Sequence, residues 1–320
     1  MCLCMLGIGC KEDFSPKVPS GNRYYLFCIV SATPLGGSVQ LALVDRMYDV
    51  PGLNPAVNKE DPFVAGARLT LTVRGTQYPL KYRLNFREDT TRYNTPVQYY
   101  LGSGIPLVAN DAVTMQATLP DSTRLSASTE IPGFRPTDSA PDFTMGVTTL
   151  LDRENVGTAW ILDWSNDVND DHLFFPSLTL VYSTTADSGI SELHSVPVPL
   201  KYVEHNGQWT PVYPSTQTAP VLSVDFDAID RVMQGIGEGI ADKSTVHPRQ
   251  MTFVLTEYDI SLSRYYNSVN GYPDQYSVRL DERTYTNVRG GDGIVGSAYT
   301  QSRTFKIGRL YAASFGYTVE

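Results

Sequence analysis

From Tyr24 to about Ile131 apolar and polar residues alternate with a period of two. In "ARLTLTVRG" Ala67, Leu69, Leu71 and Val73 fall on one side and Arg68, Thr70, Thr72 and Arg74 on the other. That is the pattern of a strand with one face on a core and the other in water. "YPLKYRL" repeats it with Tyr78, Leu80, Tyr82 and Leu84, and the short break at Gly75, Thr76 and Gln77 predicts a hairpin between the two runs. "VTMQATLP" does so again with Val113, Met115, Ala117 and Leu119, ahead of a turn at Pro120 and Asp121. Short alternating strands separated by turns predict a sandwich.

Pro132, Pro136 and Pro141 then interrupt any ladder and mark a boundary. Beyond it "TAWILDW", "FFPSLTLVYS", "MTFVLTEYD", "RTFKIGRL" and the terminal "LYAASFGYTV" read as apolar strands. Two segments have helical spacing instead. Phe226, Ile229, Val232, Met233, Ile236 and Ile240 line one side of a helix with Asp225 as its capping candidate, weakened by Gly235, Gly237 and Gly239 at about 1 kcal/mol each. Leu262, Tyr265, Tyr266 and Val269 line another that ends at Gly271. The expected architecture is mainly β. An N-terminal Ig-like β-sandwich (23–131) is followed, after a Pro-rich linker (132–143), by a second β-rich domain (144–320) with short helices near 225–240 and 260–270.

Composition agrees and narrows the partners. Tyr (20 residues), Thr, Ser and Val are abundant, which suits pleated surfaces. The net charge of −9 argues against a phosphate-neutralising surface, so nucleic acid is not an expected partner. All four cysteines, Cys2, Cys4, Cys10 and Cys28, lie near the start, so no disulfide framework spans the fold. Cys28, inside the apolar "YYLFCIVSA", reads as a small buried thiol.

No run approaches the roughly 18 to 20 apolar residues of a membrane-spanning helix. "MCLCMLGIG" (1–9) reads instead as the residual apolar part of an export signal, expected to have lost its basic upstream region, and a polar tether (10–22) follows it. Apolar residues, Gly9, Cys10 and then charge resemble the lipobox of bacterial lipoproteins, in which the cysteine becomes the acylated N-terminus. Leu6 stands four residues before Cys10, where the lipobox pattern has Leu three before, the place of Gly7 here. Lys11, Glu12 and Asp13 resemble the short charged signal that sends Bacteroidetes lipoproteins to the cell surface.

A second resemblance lies at the other end. "EYDISLSRYYNSVN" and "YTNVRGGDGIVGSAYT" resemble the C-terminal signature of the Bacteroidetes lipoprotein family catalogued as domain of unknown function 4249. That signature is a strand, a Tyr-rich helix and a turn, here formed by Tyr285, Asn287, Gly290, Gly291, Gly293, Ile294, Val295 and Gly296. "VAGARLTLT" and "ATLPDSTRLSASTEIP" resemble its first-domain strands. The family's Asp-Pro-Gly turn after the tryptophan strand is replaced here by "WSNDVNDDHLFF", so nothing carried by that turn transfers. The resemblance implies a lipid-anchored outer-membrane protein facing the cell exterior, an accessory or ligand-capture subunit beside a TonB-dependent transporter. The alternative is a surface glycan-binding protein or hydrolase whose cleft leaves no sequence spacing.

Candidate chemistry is sparse. Gly291, Gly293 and Gly296 have the spacing of a dinucleotide fingerprint, but "SAYTQSRTFKI" reads as extended where the fingerprint needs a helix, so a glycine turn with positive φ is the stronger reading. The acidic loop 163–171 (Asp163, Ser165, Asp167, Asn169, Asp170, Asp171) offers oxygen ligands for calcium, yet Val168 and Phe174 stand where an EF-hand needs Gly and Glu. His172, His194, His205 and His247 have no zinc spacing, and nucleophile motifs are absent. No catalytic residue, cofactor or metal is expected. Tyrosines in loops such as "VQYYLGSG" offer contact surface instead.

Overall fold

The computed structural model describes residues 23–36, 39–48, 57–133, 149–151, 158–164, 172–185, 191–270 and 285–319. The chain is mainly β. The N-terminal half contributes β1 (Tyr24–Ala32), β2 (Gln40–Arg46), β3 (Arg68–Val73), β4 (Thr76–Asn85), β5 (Val97–Gly102), β6 (Ala112–Thr118) and β7 (Arg124–Glu130). The β3–β4 hairpin closes through Arg74 and Gly75, both at positive φ (49° and 79°), the primed two-residue turn whose twist matches the flanking strands. Ala67, Leu69, Leu71 and Val73 are all buried, as are Val113, Met115, Ala117 and Leu119, so both alternations point the way their period predicts.

In β4 the expectation fails halfway. Residues up to Leu80 pair with β3, and from Lys81 onward the strand pairs with β5. β4 thus passes from one sheet of a sandwich to the other, and Tyr82 (40% exposed) and Leu84 (56% exposed) leave the core side. One layer is β2–β5–β4 with β1, the other β4–β3–β6–β7. Between them lie Leu26, Cys28, Val30, Val44 and Tyr100 from the first and Leu69, Leu71, Met115 and Leu125 from the second. Burial pushes the Cys28 thiol up to about 12, which leaves it an inert core side chain. The Tyr100 hydroxyl accepts from Ala67 N (2.9 Å) and donates to Val64 O (2.7 Å), so this buried ring keeps its polar end satisfied.

The second half contributes β8 (Thr149–Leu151), β9 (Ala159–Asp163), β10 (Phe174–Thr185), β11 (Ser191–Pro197), β12 (Lys201–His205), β13 (Gln208–Val212) and β14 (Val221–Asp225). After them come α1 (Phe226–Gly235), β15 (Val246–Tyr258), α2 (Ile260–Asn270), β16 (Asp292–Ile307) and α3 (Arg309–Ala313). α1 buries Phe226, Ala228, Ile229, Val232 and Met233. Asp225 occupies its N-cap, but its side chain makes no capping hydrogen bond, a correction to the expected role. The terminal segment read as a strand is also corrected: Arg309–Ala313 is helical and buries Tyr311 and Ala312. One face of β10, β15 and β16 packs against the β9–β14 ribbon, α1 and α3 around Trp160, Trp164, Phe174, Phe253 and Phe305. Trp160 and Phe305 meet edge to face at 4.6 Å, a geometry the ring quadrupole favours.

The organising element is β16. Its first half runs parallel to β1, from Tyr25↔Asp292 to Ala32↔Tyr299, and its second half antiparallel to β15, from Tyr258↔Ala298 to Gln250↔Lys306. The sheet order β11-β10-β15-β16-β1-β2-β5-β4-β3-β6-β7 is therefore one continuous path. Val288, Val295 and Tyr299 belong to the N-terminal core, while Phe305 and Ile307 belong to the C-terminal one.

One acid works against the fold at neutral pH. Asp45, partly buried on β2, has its carboxyl pushed up from 3.8 to about 6, first by burial and then by the charge of Asp61. Between those two values the folded chain holds a proton that the unfolded chain has released, so stability falls as pH rises through that window. Asp45→Asn is expected to flatten that slope and to raise stability at pH 7 by about 1–2 kcal/mol, after discounting for partial exposure. Urea titrations of both proteins at pH 4 and pH 7 check it; an unchanged difference between the two pH values would contradict the assignment.

Candidate functional site

Cys10, Lys11, Glu12 and Asp13 lie outside the described residues. The signature turn lies inside them and is structural. The Asn287 amide donates to Val295 O (2.8 Å) while its Oδ1 accepts from Val295 N (3.0 Å), which folds the entry segment back onto β16. Arg289 exchanges both backbone hydrogen bonds with Ser126 of β7, closing the sandwich, and Tyr285 N donates to Ser268 Oγ (3.3 Å). Gly290 (φ +84°) and Gly293 (φ +115°) hold conformations that side chains rarely adopt, and a Cβ at either would sit 2.2 Å from a backbone oxygen, of Arg124 and Leu26 respectively. Gly291 faces Tyr24 O, and Gly296 leaves room for Leu262 of α2. A strand and not a helix follows these glycines, so they cradle β1, β7 and α2 rather than a pyrophosphate.

The face of β16 that links the two cores is polar at the junction. Asp259 caps α2: its Oδ1 accepts from Leu262 N (2.9 Å) and Ser297 N (3.0 Å), and Thr129 of β7 donates its hydroxyl to Oδ2. Ser297 donates onward to Glu130 O (2.6 Å). Burial pushes the Asp259 carboxyl up, with these hydrogen bonds opposing. Nearby, Glu257, 2% exposed, lies 2.7 Å from His172 Nδ1, which ties the residue two before β10 to β15. Of the candidate calcium ligands only Asp163 is described, paired with Val221 at the end of β9; residues 165–171 lie outside the described residues. No group of three or more His, Cys, Asp or Glu suited to a metal occurs among the described residues.

The surface feature with chemistry left over is on the β12–β13 hairpin. Asn206 and Gly207 form its turn at positive φ (52° and 78°), and Tyr202, Glu204, Trp209 and Pro211 share one face by register. Arg231 of α1 rises to meet that face, with its guanidinium carbon 5.1 Å from the Tyr202 ring centre and 4.7 Å from that of Trp209. Contact with two ring faces restrains the guanidinium, and its N–H groups have no hydrogen-bond partner among the described residues. Trp209 remains 51% exposed. A cleft of about 470 Å³ opens beside it, lined by Tyr202, Arg231, Gln234, Glu238 and Lys243.

A second stack, Arg87 and Arg92 against Tyr93 and Tyr48, shows the contrast. There Arg87 is 2.7 Å from Asp61 and Arg92 donates to the Tyr48 hydroxyl, so both side chains are engaged in holding the β4–β5 loop. Arg231 makes no ion pair with any described residue. Sequence reading missed this site because Arg231 lies on α1, a separate element from the hairpin that carries Tyr202 and Trp209. The available signal was Asn206-Gly207, the two-residue turn that predicts a hairpin and puts Tyr202 and Trp209 on one side of it.

No family model matches the chain, and no curated protein matches it. Among solved structures, the chain is similar to a crystal structure of DIP-gamma IG1+IG2 at a TM-score of 0.19 and 6% identity, over 89% of this chain and 97% of that one. A protocadherin gammaB7 EC3-6 cis-dimer structure is similar at a TM-score of 0.17 and 12% identity, over 90% and 51% of the respective chains. Likenesses at those TM-scores carry no argument, and the fold rests on the strand ladders themselves. What stands established is a mainly β chain with a β-sandwich at its N-terminal end and one long strand common to both of its cores.

Proposed function

We propose that this chain is a non-enzymatic lipoprotein of the outer membrane, anchored through Cys10 and facing the cell exterior, where it serves a TonB-dependent uptake system as an accessory or ligand-capture subunit. The carrying observation is the run of apolar residues, Gly9, Cys10 and then Lys11, Glu12 and Asp13. Burial gives about 0.8 kcal/mol per CH₂, so two or more acyl chains on that cysteine hold a protein on a bilayer without a spanning helix. The resemblance to the lipoproteins of domain of unknown function 4249 supports the same setting. The exposed Arg231 platform supports a binding role, because a fixed cation between aromatic faces suits recognition.

Cys10→Ala is expected to move the chain from the membrane pellet to the soluble fraction and to abolish recovery of a transporter in a mild-detergent pull-down from outer membranes. Protease added to intact cells should cut the wild type. A Cys10→Ala chain that still pellets with membranes would remove the anchor. A wild-type chain recovered alone would remove the uptake role, and one that resists protease would place it on the inner face.

A further inference from the structure

We infer that the cleft between the β12–β13 hairpin and α1 binds a hydroxylated carboxylate, in chemical terms a sugar acid. The inference rests on the ligand-capture reading and names the ligand class for it. Each wall of the cleft selects a different part of such a molecule. Arg231 presents a planar fork that matches a carboxylate in bidentate fashion, held in place by Tyr202 and Trp209 and not spent on any described acid. Lys243 adds a second cation on the same wall system. Glu238 and Gln234 supply acceptors for hydroxyl groups, and Gln234 also donates. Beside the cleft, the half-exposed Trp209 offers an amphipathic surface for the C–H face of a ring that extends out of it.

The same residues argue against the nearest alternatives. A phosphate dianion would bring twice a carboxylate's charge up to Glu238 and lacks the several hydroxyls that Glu238 and Gln234 can accept from. A neutral sugar would leave the aligned guanidinium without a partner.

The chain carries three tryptophans, and Trp160 and Trp164 are buried, so a ligand-induced change in tryptophan emission reports on Trp209. Purified full-length Cys10→Ala chain would be titrated with oligogalacturonate, oligoglucuronate and N-acetylneuraminate, with the methyl ester of each acid as its neutral counterpart and with inorganic phosphate as competitor. Saturable emission change is expected for at least one acid, weaker by about tenfold or more for its ester and for the Arg231→Gln variant. Arg231→Lys should recover only part, because a point charge cannot reproduce the fork. Arg231 is exposed, and an unchanged far-ultraviolet circular dichroism spectrum of each variant keeps a binding loss separate from misfolding. Equal binding of acid and ester, no saturable change with any of the three acids, or tighter binding of phosphate would each overturn the inference. None of these results bears on anchoring, which the fractionation and pull-down decide separately.

Discussion

Gly293→Ala is expected to cost about 3–5 kcal/mol of unfolding free energy. Two effects add. The backbone there sits at φ +115°, a region L side chains rarely enter, and the new Cβ would lie 2.2 Å from Leu26 O and 2.8 Å from Leu26 N. Both obstacles are main-chain atoms of β1, which cannot rotate aside as a side chain could. Relief requires β16 to withdraw from β1 at the entry to the parallel ladder. Because β16 continues into the second core, urea unfolding followed by tryptophan fluorescence, to which Trp160 and Trp164 of that core contribute, should show the loss as well. Gly75→Ala is the control: its φ is +79°, but nothing lies within 4 Å of the added Cβ, so only about 1 kcal/mol of conformational strain is expected. A Gly293→Ala protein within about 0.5 kcal/mol of the wild type would mean that the parallel β1–β16 ladder is not as described.

Asp259→Ala should follow closely, at about 3–4 kcal/mol. The substitution leaves the N–H groups of Leu262 and Ser297 without their acceptor in a site that is 4% exposed, and frees the Thr129 hydroxyl. Buried donors left unmet cost more than the hydrogen bonds themselves contribute. Asp259→Asn keeps Oδ1 for both N–H groups but loses the charge and the Oδ2 acceptor of the Thr129 hydroxyl, so about 1–2 kcal/mol is expected. A Thr129→Val, Asp259→Asn double-mutant cycle measures the tie across 130 positions of sequence between β7 and the head of α2. Coupling near zero would show that the two elements are held by apolar packing alone.

Much of the β architecture was legible from period two because one face of each strand meets a core and the other meets water. Leu69, Leu71, Met115 and Ala117 are buried for that local reason. α1 was legible from its 3.6-residue spacing. Tyr82 and Leu84 were not, since their pattern continues unbroken while β4 changes partner at Lys81. Pairing is a property of two strands, and one strand's alternation does not record it. The terminal helix at Arg309–Ala313 was missed because five residues are too few for a helical period to declare itself.

What the sequence by itself determined is the mainly β class, the positions of most strands and α1, and the absence of room for a disulfide framework, each a matter of local periodicity or residue count. What only the tertiary structure decided is the sharing of β16 between two cores, the meaning of the signature glycines, and the assembly of Tyr202, Trp209 and Arg231 into one platform. The physical reason is the same for all three. A glycine is demanded by the backbone that passes over it, and a platform by the side chains that meet on it, and those neighbours come from segments tens to hundreds of residues away in the chain.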